Sequence, residues 1–225
     1  FPIAKAYKSQ KWPLNWLGLG RKITEKDLAE WEELLFDTCT MCGRCTQVCP
    51  MGIDIASIVG QARKAFAAAG LGPDDLQAAA VNSRDNGSPL GLTPQKLVDR
   101  LEWLADDEEV DIQIDKKQVD VLLTVSSIEA MKYPQSLSAM AKIMNHAGVS
   151  WTFSTKGYES TNFGYLAGKP DIAKIMIERL LAAAEATGAK TVIIPECGHA
   201  YGVLRWGAAN MIGRELPLEV LHITE

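Results

Sequence analysis

The chain has 225 residues, 47% of them hydrophobic and 23% charged, with a formal net charge of −5 at pH 7. That length suits one large domain, or a small domain followed by a medium one, with enough apolar residues for a real core. Mild acidity without a basic stripe excludes nucleic acid as an expected partner, and no apolar run reaches the ~18 residues that a bilayer span requires.

Residues 1–22 form an irregular arm, not a signal peptide. Trp12, Pro13, Trp16, Gly18 and Gly20 lie there among lysines and arginines. Such an arm either lies on a membrane surface or a partner, or packs in extended form on its own protein. Thr24 then opens a helix, with Asp27 in a capping-box position and Leu28, Trp31 and Leu35 on the buried face. A cysteine-rich segment follows. The next helix is expected over 54–69, where Ile55, Ile58, Val59, Ala62, Phe66 and Ala69 recur at helical spacing before Gly70 and Gly72. A short helix is expected over 74–81. Residues 82–92, rich in Asn, Ser, Gly and Pro, read as a linker. Thr93 caps another helix with Pro94 at its first position, carrying Leu97, Leu101 and Leu104 inward.

From about residue 109 the pattern changes. Strands are expected over 119–126, 149–154, 191–195 and 218–223, with helices over 134–147, 170–187 and 200–212 between them. Strand–helix alternation implies a mostly parallel sheet covered on both faces. The expected class is therefore α+β overall: an arm (1–22), a small all-helical ferredoxin-type domain (23–105), and an α/β domain (106–225). The chain opens on Phe1 and closes on Glu225 straight after a strand. Both ends read as cuts, so the α/β domain is expected to be incomplete at its C-terminal side.

Four of the five cysteines stand between residues 39 and 49. That clustering in a long chain points to metal and a reducing compartment rather than to a disulfide scaffold. The segment reads Cys39-Thr40-Met41-Cys42-Gly43-Arg44-Cys45-Thr46-Gln47-Val48-Cys49-Pro50. This is the bacterial ferredoxin run for a [4Fe–4S] cluster. Cysteines at intervals of three wrap a tight loop around one cubane, Gly43 lets the backbone approach the sulfides, and N–H groups aimed at sulfur help set the potential. Met41, Val48, Met51 and Ile53 are expected to form an apolar shell. The fourth cysteine leaves two arrangements open. Either all four serve one cluster, or Cys49 is shared with a second cluster whose other ligands lie on another segment or chain. Zinc would ordinarily use two separated pairs.

Cys197 is expected between a strand tip and a helix, where α/β proteins place active groups and where a helix N-terminus lowers a thiol pKa. It reads as a cluster ligand or redox thiol, or as a buried inert cysteine. His199 reads as a proton relay or as a structural histidine; His146 and His222 read as structural. Gly157, Gly164 and Gly168 bracket Asn162 and Phe163 in a loop that lacks the spacing of a dinucleotide fingerprint.

The stretch from Asp37 through the cysteine run to Gly52 resembles the iron–sulfur proteins of the heterodisulfide reductase family, those related to that enzyme's D subunit. So does Pro195-Glu196-Cys197-Gly198-His199-Ala200-Tyr201 together with residues 218–225, which is similar to the first cysteine-rich repeat of that family. Relatives include the iron–sulfur subunits of the sulfite-reduction membrane complex, of glycolate oxidase and of dimethylglycine catabolism. The resemblance covers residues 35–55 and 118–225. It implies a cytoplasmic protein, peripheral to the membrane, that passes electrons between a flavoprotein or other redox subunit and quinone, haem or thiol–disulfide chemistry, with a membrane-anchoring partner. The family's repeats carry a tandem Cys-Cys-Gly. Residues 156–164 here hold no cysteine, so this repeat does not build the family's special cluster by itself.

Three functions follow as expectations: single-electron relay through the Cys39–Cys49 cluster, thiol–disulfide catalysis at Cys197, or a structural cluster in a docking protein.

Overall fold

The computed structural model describes residues 7–225. The first six residues of the expected arm lie outside the described residues. The chain divides into two compact units that meet in sequence at Pro73 and Asp74.

The first unit is helical. α1 (Glu25–Glu32) starts at a capping box, in which the Thr24 side chain accepts from the Asp27 N–H and Asp27 bonds back to Thr24. The helix then widens into a π-helical turn, Glu33–Asp37. α2 (Arg44–Gln47) is a single turn inside the cysteine segment, and α3 (Ile55–Ala68) follows with Asp54 as its N-cap. Trp31, Leu35 and Phe66 form the small core, with Leu28, Phe36, Val59, Ala62 and Leu71 packed on it.

The second unit holds α4 (Asp74–Asn86), α5 (Pro94–Asp107), β1 (Val121–Leu123), α6 (Ser127–Lys132), α7 (Gln135–His146), β2 (Trp151–Phe153), α8 (Phe163–Leu166), α9 (Pro170–Thr187), β3 (Thr191–Ile194), α10 (Gly198–Gly202), a π-helical turn (Val203–Gly207), α11 (Ala208–Ile212) and β4 (Glu219–His222). The strands form one sheet in the order β2-β1-β3-β4, every pair parallel. Side chains alternate across it as the pleat requires. Val121 and Leu123 enter one core with Leu97, Leu101, Leu104, Leu137 and Met144. Leu122, Val192 and Ile194 enter the other with Ile177, Leu180 and Leu204.

Two boundaries differ from the sequence reading. Residues 82–92 are no linker: α4 runs on to Asn86, Ser88 and Leu92 are buried, and Tyr158 Oη donates to the Leu92 carbonyl. Leu97, Leu101 and Leu104 of α5 pack under β1, so α5 stands with the sheet rather than with the cysteine segment. The α6 and α8 turns were not expected. α6 arises from a second capping box, Ser126 with Glu129, and α8 from the Asn162 cap. No helix among the described residues is long and apolar enough to cross a membrane.

Candidate functional site

The cysteine segment begins where the π-helical turn ends. Two residues there adopt left-handed backbone conformations, Met41 (φ 55°) and Gly43 (φ 76°). That combination bends the chain tightly enough to turn Cys42 and Cys45 to the surface, while Cys39 and Cys49 are half-buried. Gly43 is a position where only glycine is at ease, and a Cβ there would face open space. Met41 lies against Gly60 of α3. Val48, Met51 and Ile53, expected as an apolar shell, are exposed instead.

Two clamps hold this loop. Thr46 Oγ1 donates to Asp54 Oδ1 and accepts from the Ala56 N–H, each at 3.1 Å, tying α2 to the start of α3. From the other side comes Arg63, 1% exposed. Its Nε donates to the Leu35 carbonyl at 2.9 Å and its Nη2 to the Cys39 carbonyl at 2.5 Å. Its guanidinium carbon sits 4.9 Å from the Phe36 ring centre, within cation–π range. Helix ends leave carbonyls without intrahelical partners, and a cation there is favourable. Sequence patterning assigned Arg63 no role. Its one available sign was a charged residue between Ala62 and Phe66, on the side of α3 that supplies the core.

All five cysteines are free thiols. Among the described residues, no three Cys, His, Asp or Glu side chains gather around one point that a metal ion would take. Thiols alone have no mutual attraction, and metal binding is coupled to the ordering of its ligands. The donor set nevertheless suits an iron–sulfur group. It is sulfur-rich, and the Met41 N–H already points at Cys39 Sγ at 3.4 Å. The Arg44 N–H, then the Thr40 hydroxyl, hold the Cys42 thiol below its ordinary pKa. Low thiol pKa favours the thiolate, the form that binds iron.

The second unit carries a polar cluster at the carboxyl ends of its strands. Order β2-β1-β3-β4 makes the β1/β3 boundary the switch point, where open parallel sheets bind ligands. Here that crevice is closed by side chains. Ser126 Oγ donates to Glu196 Oε1 at 2.7 Å, bridging the ends of β1 and β3. Buried Glu159 accepts from Ser127 N–H at 3.1 Å, from Ser127 Oγ, and from Thr161 N–H at 3.1 Å and Oγ1 at 2.6 Å. Ser88 Oγ lies 2.6 Å from Ser127 Oγ. Burial pushes the Glu159 pKa up to about 7 against those hydrogen bonds. The cavity between Glu159, Asn162 and Ala200 has a volume of about 10 Å³, at most one water. A larger one, about 230 Å³, lies between Asp85, Lys156, Glu159 and Arg179.

Cys197 caps the five-residue α10 and accepts from the Ala200 N–H at 3.4 Å. Its thiol pKa is raised, not lowered as the sequence suggested. Burial is the largest cause, and Glu196 and Glu159 push the same way, outweighing the N–H groups of Ala200 and His199. His199 Nε2 lies 3.2 Å from the Asn162 carbonyl and its ring packs 5.8 Å from Tyr165. The glycines of the nearby loop serve packing: a Cβ on Gly157 would lie 2.6 Å from the Arg179 carbonyl, and one on Gly164 would strike the backbone of Ile172 and Ala173.

Residues 6–54 match the family described as a 4Fe-4S dicluster domain. The Hdr-like menaquinol oxidoreductase iron-sulfur subunit of Archaeoglobus profundus is 28% identical over 82% of this chain and 35% of its own length. The D subunit of the dihydromethanophenazine:CoB–CoM heterodisulfide reductase of Methanosarcina barkeri is 25% identical over 91% of this chain and 49% of its own. At this modest identity the chain is similar to iron–sulfur subunits of the heterodisulfide reductase type. It is also similar to the EtfAB:quinone oxidoreductase of Syntrophomonas wolfei, 28% identical over 86% of this chain and 27% of that protein. The chain thus spans half or less of the length of each of these relatives. No solved structure matches it significantly. With the dicluster-domain match and iron–sulfur relatives together, a [4Fe–4S] cluster is the cofactor of this chain.

Replacing Arg63 with Met removes the guanidinium donors from the Leu35 and Cys39 carbonyls. Arg63→Met is expected to lower stability by roughly 2–4 kcal/mol and to speed amide exchange from Thr38 to Arg44, measured by hydrogen exchange. Unchanged exchange there would mean that the guanidinium does not hold the loop. Glu159 makes a pH prediction. Its folded pKa exceeds its ordinary value of 4.5, so the folded chain keeps this proton longer. The stabilisation is complete below the unfolded value and is lost as pH rises towards 7. Thermal melts of the wild type should fall relative to Glu159→Gln across that window, whereas parallel curves would contradict the shift.

Proposed function

We propose that this chain is an electron-relay module in which Cys39, Cys42, Cys45 and Cys49 are the protein ligands of its iron–sulfur chemistry. The observation that carries this reading is the run itself. Four free thiols stand at ferredoxin spacing, with N–H groups on two of the sulfurs, inside a stretch that matches a dicluster domain. A bound [4Fe–4S] cluster accepts and releases one electron at a time. The chain's own residues do the rest. Arg63 and the Thr46–Asp54 clamp fix the loop that carries the thiolates, so the ligands reorganise little when charge arrives. N–H groups aimed at sulfur stabilise the reduced, more negative state and raise its potential.

The dicluster description favours the arrangement in which Cys49 serves a second cluster, the remaining cysteines of that cluster coming from another segment. A flavoprotein or other redox subunit supplies electrons and a quinone-type carrier receives them, which puts the module at the periphery of a membrane beside an anchoring partner. The name of one relative, the EtfAB:quinone oxidoreductase, supports this choice of donor and acceptor. Thiol–disulfide catalysis at Cys197 has no support in its surroundings, since burial and two neighbouring carboxylates disfavour its thiolate.

The test is anaerobic stopped-flow spectroscopy of the purified protein. Mixing with a reduced flavoprotein should bleach the broad visible absorption, and a menaquinone analogue should restore it; Cys42→Ser should show neither change. A visible band that reduced flavoprotein leaves untouched, yet dithionite bleaches, would reject the proposed donor. A band that even dithionite leaves untouched would reject electron relay.

A further inference from the structure

We infer that residues 7–23 are an interfacial anchor that seats this chain on an anionic lipid surface. The inference rests on the peripheral-membrane part of the reading above and assigns that contact to this chain itself. The arm is folded back on itself. Gln10 Nε2 donates to the Arg21 carbonyl at 2.6 Å and the Arg21 N–H donates to Ser9 Oγ at 3.2 Å, closing a neck. Gly20 makes that neck possible, because a Cβ there would lie 2.8 Å from the Ser9 carbonyl. Arg21 also pairs with Asp27 at the start of α1, which ties the neck to the helical unit. Between the two sides of the neck, backbone groups bond inward: Asn15 N–H to the Lys11 carbonyl, Leu17 to Pro13, Leu19 to Leu14. A loop with its own backbone partners can approach lipid without stranding polar groups.

Its outward side chains are those of a membrane interface. Trp12 is 81% exposed, Trp16 80%, Leu19 69% and Leu17 56%. Monomeric surfaces rarely leave so much apolar area together without an interaction to serve, and tryptophan is the residue most at home at headgroup depth. Lys8, Lys11 and Lys22 flank them in sequence, beside Arg21, whose charge is paired by Asp27, and no Asp or Glu occurs before Glu25. Cations with no interspersed acid complement a negative surface, whereas a protein partner of mixed charge would ordinarily meet both signs.

The experiment is co-sedimentation of the intact chain with vesicles of equal parts phosphatidylglycerol and phosphatidylcholine, and with phosphatidylcholine alone. Binding to the anionic vesicles should exceed binding to the neutral ones by about tenfold or more and weaken with added salt. Trp12→Ser with Trp16→Ser should cut it about tenfold or more. Lys8→Gln, Lys11→Gln and Lys22→Gln together should erase the preference for anionic lipid. None of these side chains belongs to the Trp31–Leu35–Phe66 core, and the visible absorption of each variant reports an intact cluster in the same sample. No sedimentation with either vesicle, or sedimentation indifferent to the tryptophan changes, overturns the anchor. Either outcome leaves electron relay standing, because that is read by bleaching in the absence of lipid.

Discussion

A buried guanidinium holds the iron–sulfur segment in place. Arg63 reaches back from α3 to the carbonyls of Leu35 and Cys39, one in the π-helical turn and one at the first cysteine. Burying a cation is costly unless its donors are used, and here they bridge the helix before the loop to the helix after it. Leu35 belongs to the small core and Arg63 is buried beside it, so the position of Cys39 is set by core packing rather than by the loop. Without that link, a segment with two left-handed residues and exposed cysteines would keep only the Thr46–Asp54 clamp at its far end.

The α/β unit follows a different rule. Its sheet offers the usual ligand crevice, yet serines and glutamates fill it. Ser126 with Glu196, and Ser127 with Glu159, join the segments that follow three of the strands. A network in which each member is satisfied rigidifies what it joins. Cys197 stands beside this network, half-buried, and burial together with the Glu196 and Glu159 carboxylates raises its thiol pKa. The cysteine run lies before Pro73 and the closed sheet end after it, in separate units of the chain.

Much of the fold was legible because its signals are local. Thr24 with Asp27, Thr93 with Pro94, and Pro170 through Gly188 mark helix ends by side-chain chemistry a few residues apart, and those helices stand where their sequence signals put them. The cysteine run was legible for the same reason. What escaped was long-range and polar. Glu159 meets Ser127, 32 positions away, and Arg63 meets Leu35, 28 positions away; no periodicity announces such pairs. Residues 82–92 have the composition of a linker, but Ser88 and Leu92 are drawn inside by Ser127 and Tyr158. The helix-start argument for Cys197 failed because α10 has only five residues, and burial outweighs so short a dipole.

The most direct measurement is electron paramagnetic resonance of the anaerobically purified, dithionite-reduced protein, paired with iron and acid-labile sulfide analysis. Ligation by Cys39, Cys42, Cys45 and Cys49 predicts a brown protein with about four irons and four sulfides per cluster and the signal of a reduced [4Fe–4S] centre, lost on replacing Cys42 or Cys45 with serine. A colourless protein, zinc in place of iron, or an undiminished signal in the serine variants would contradict it.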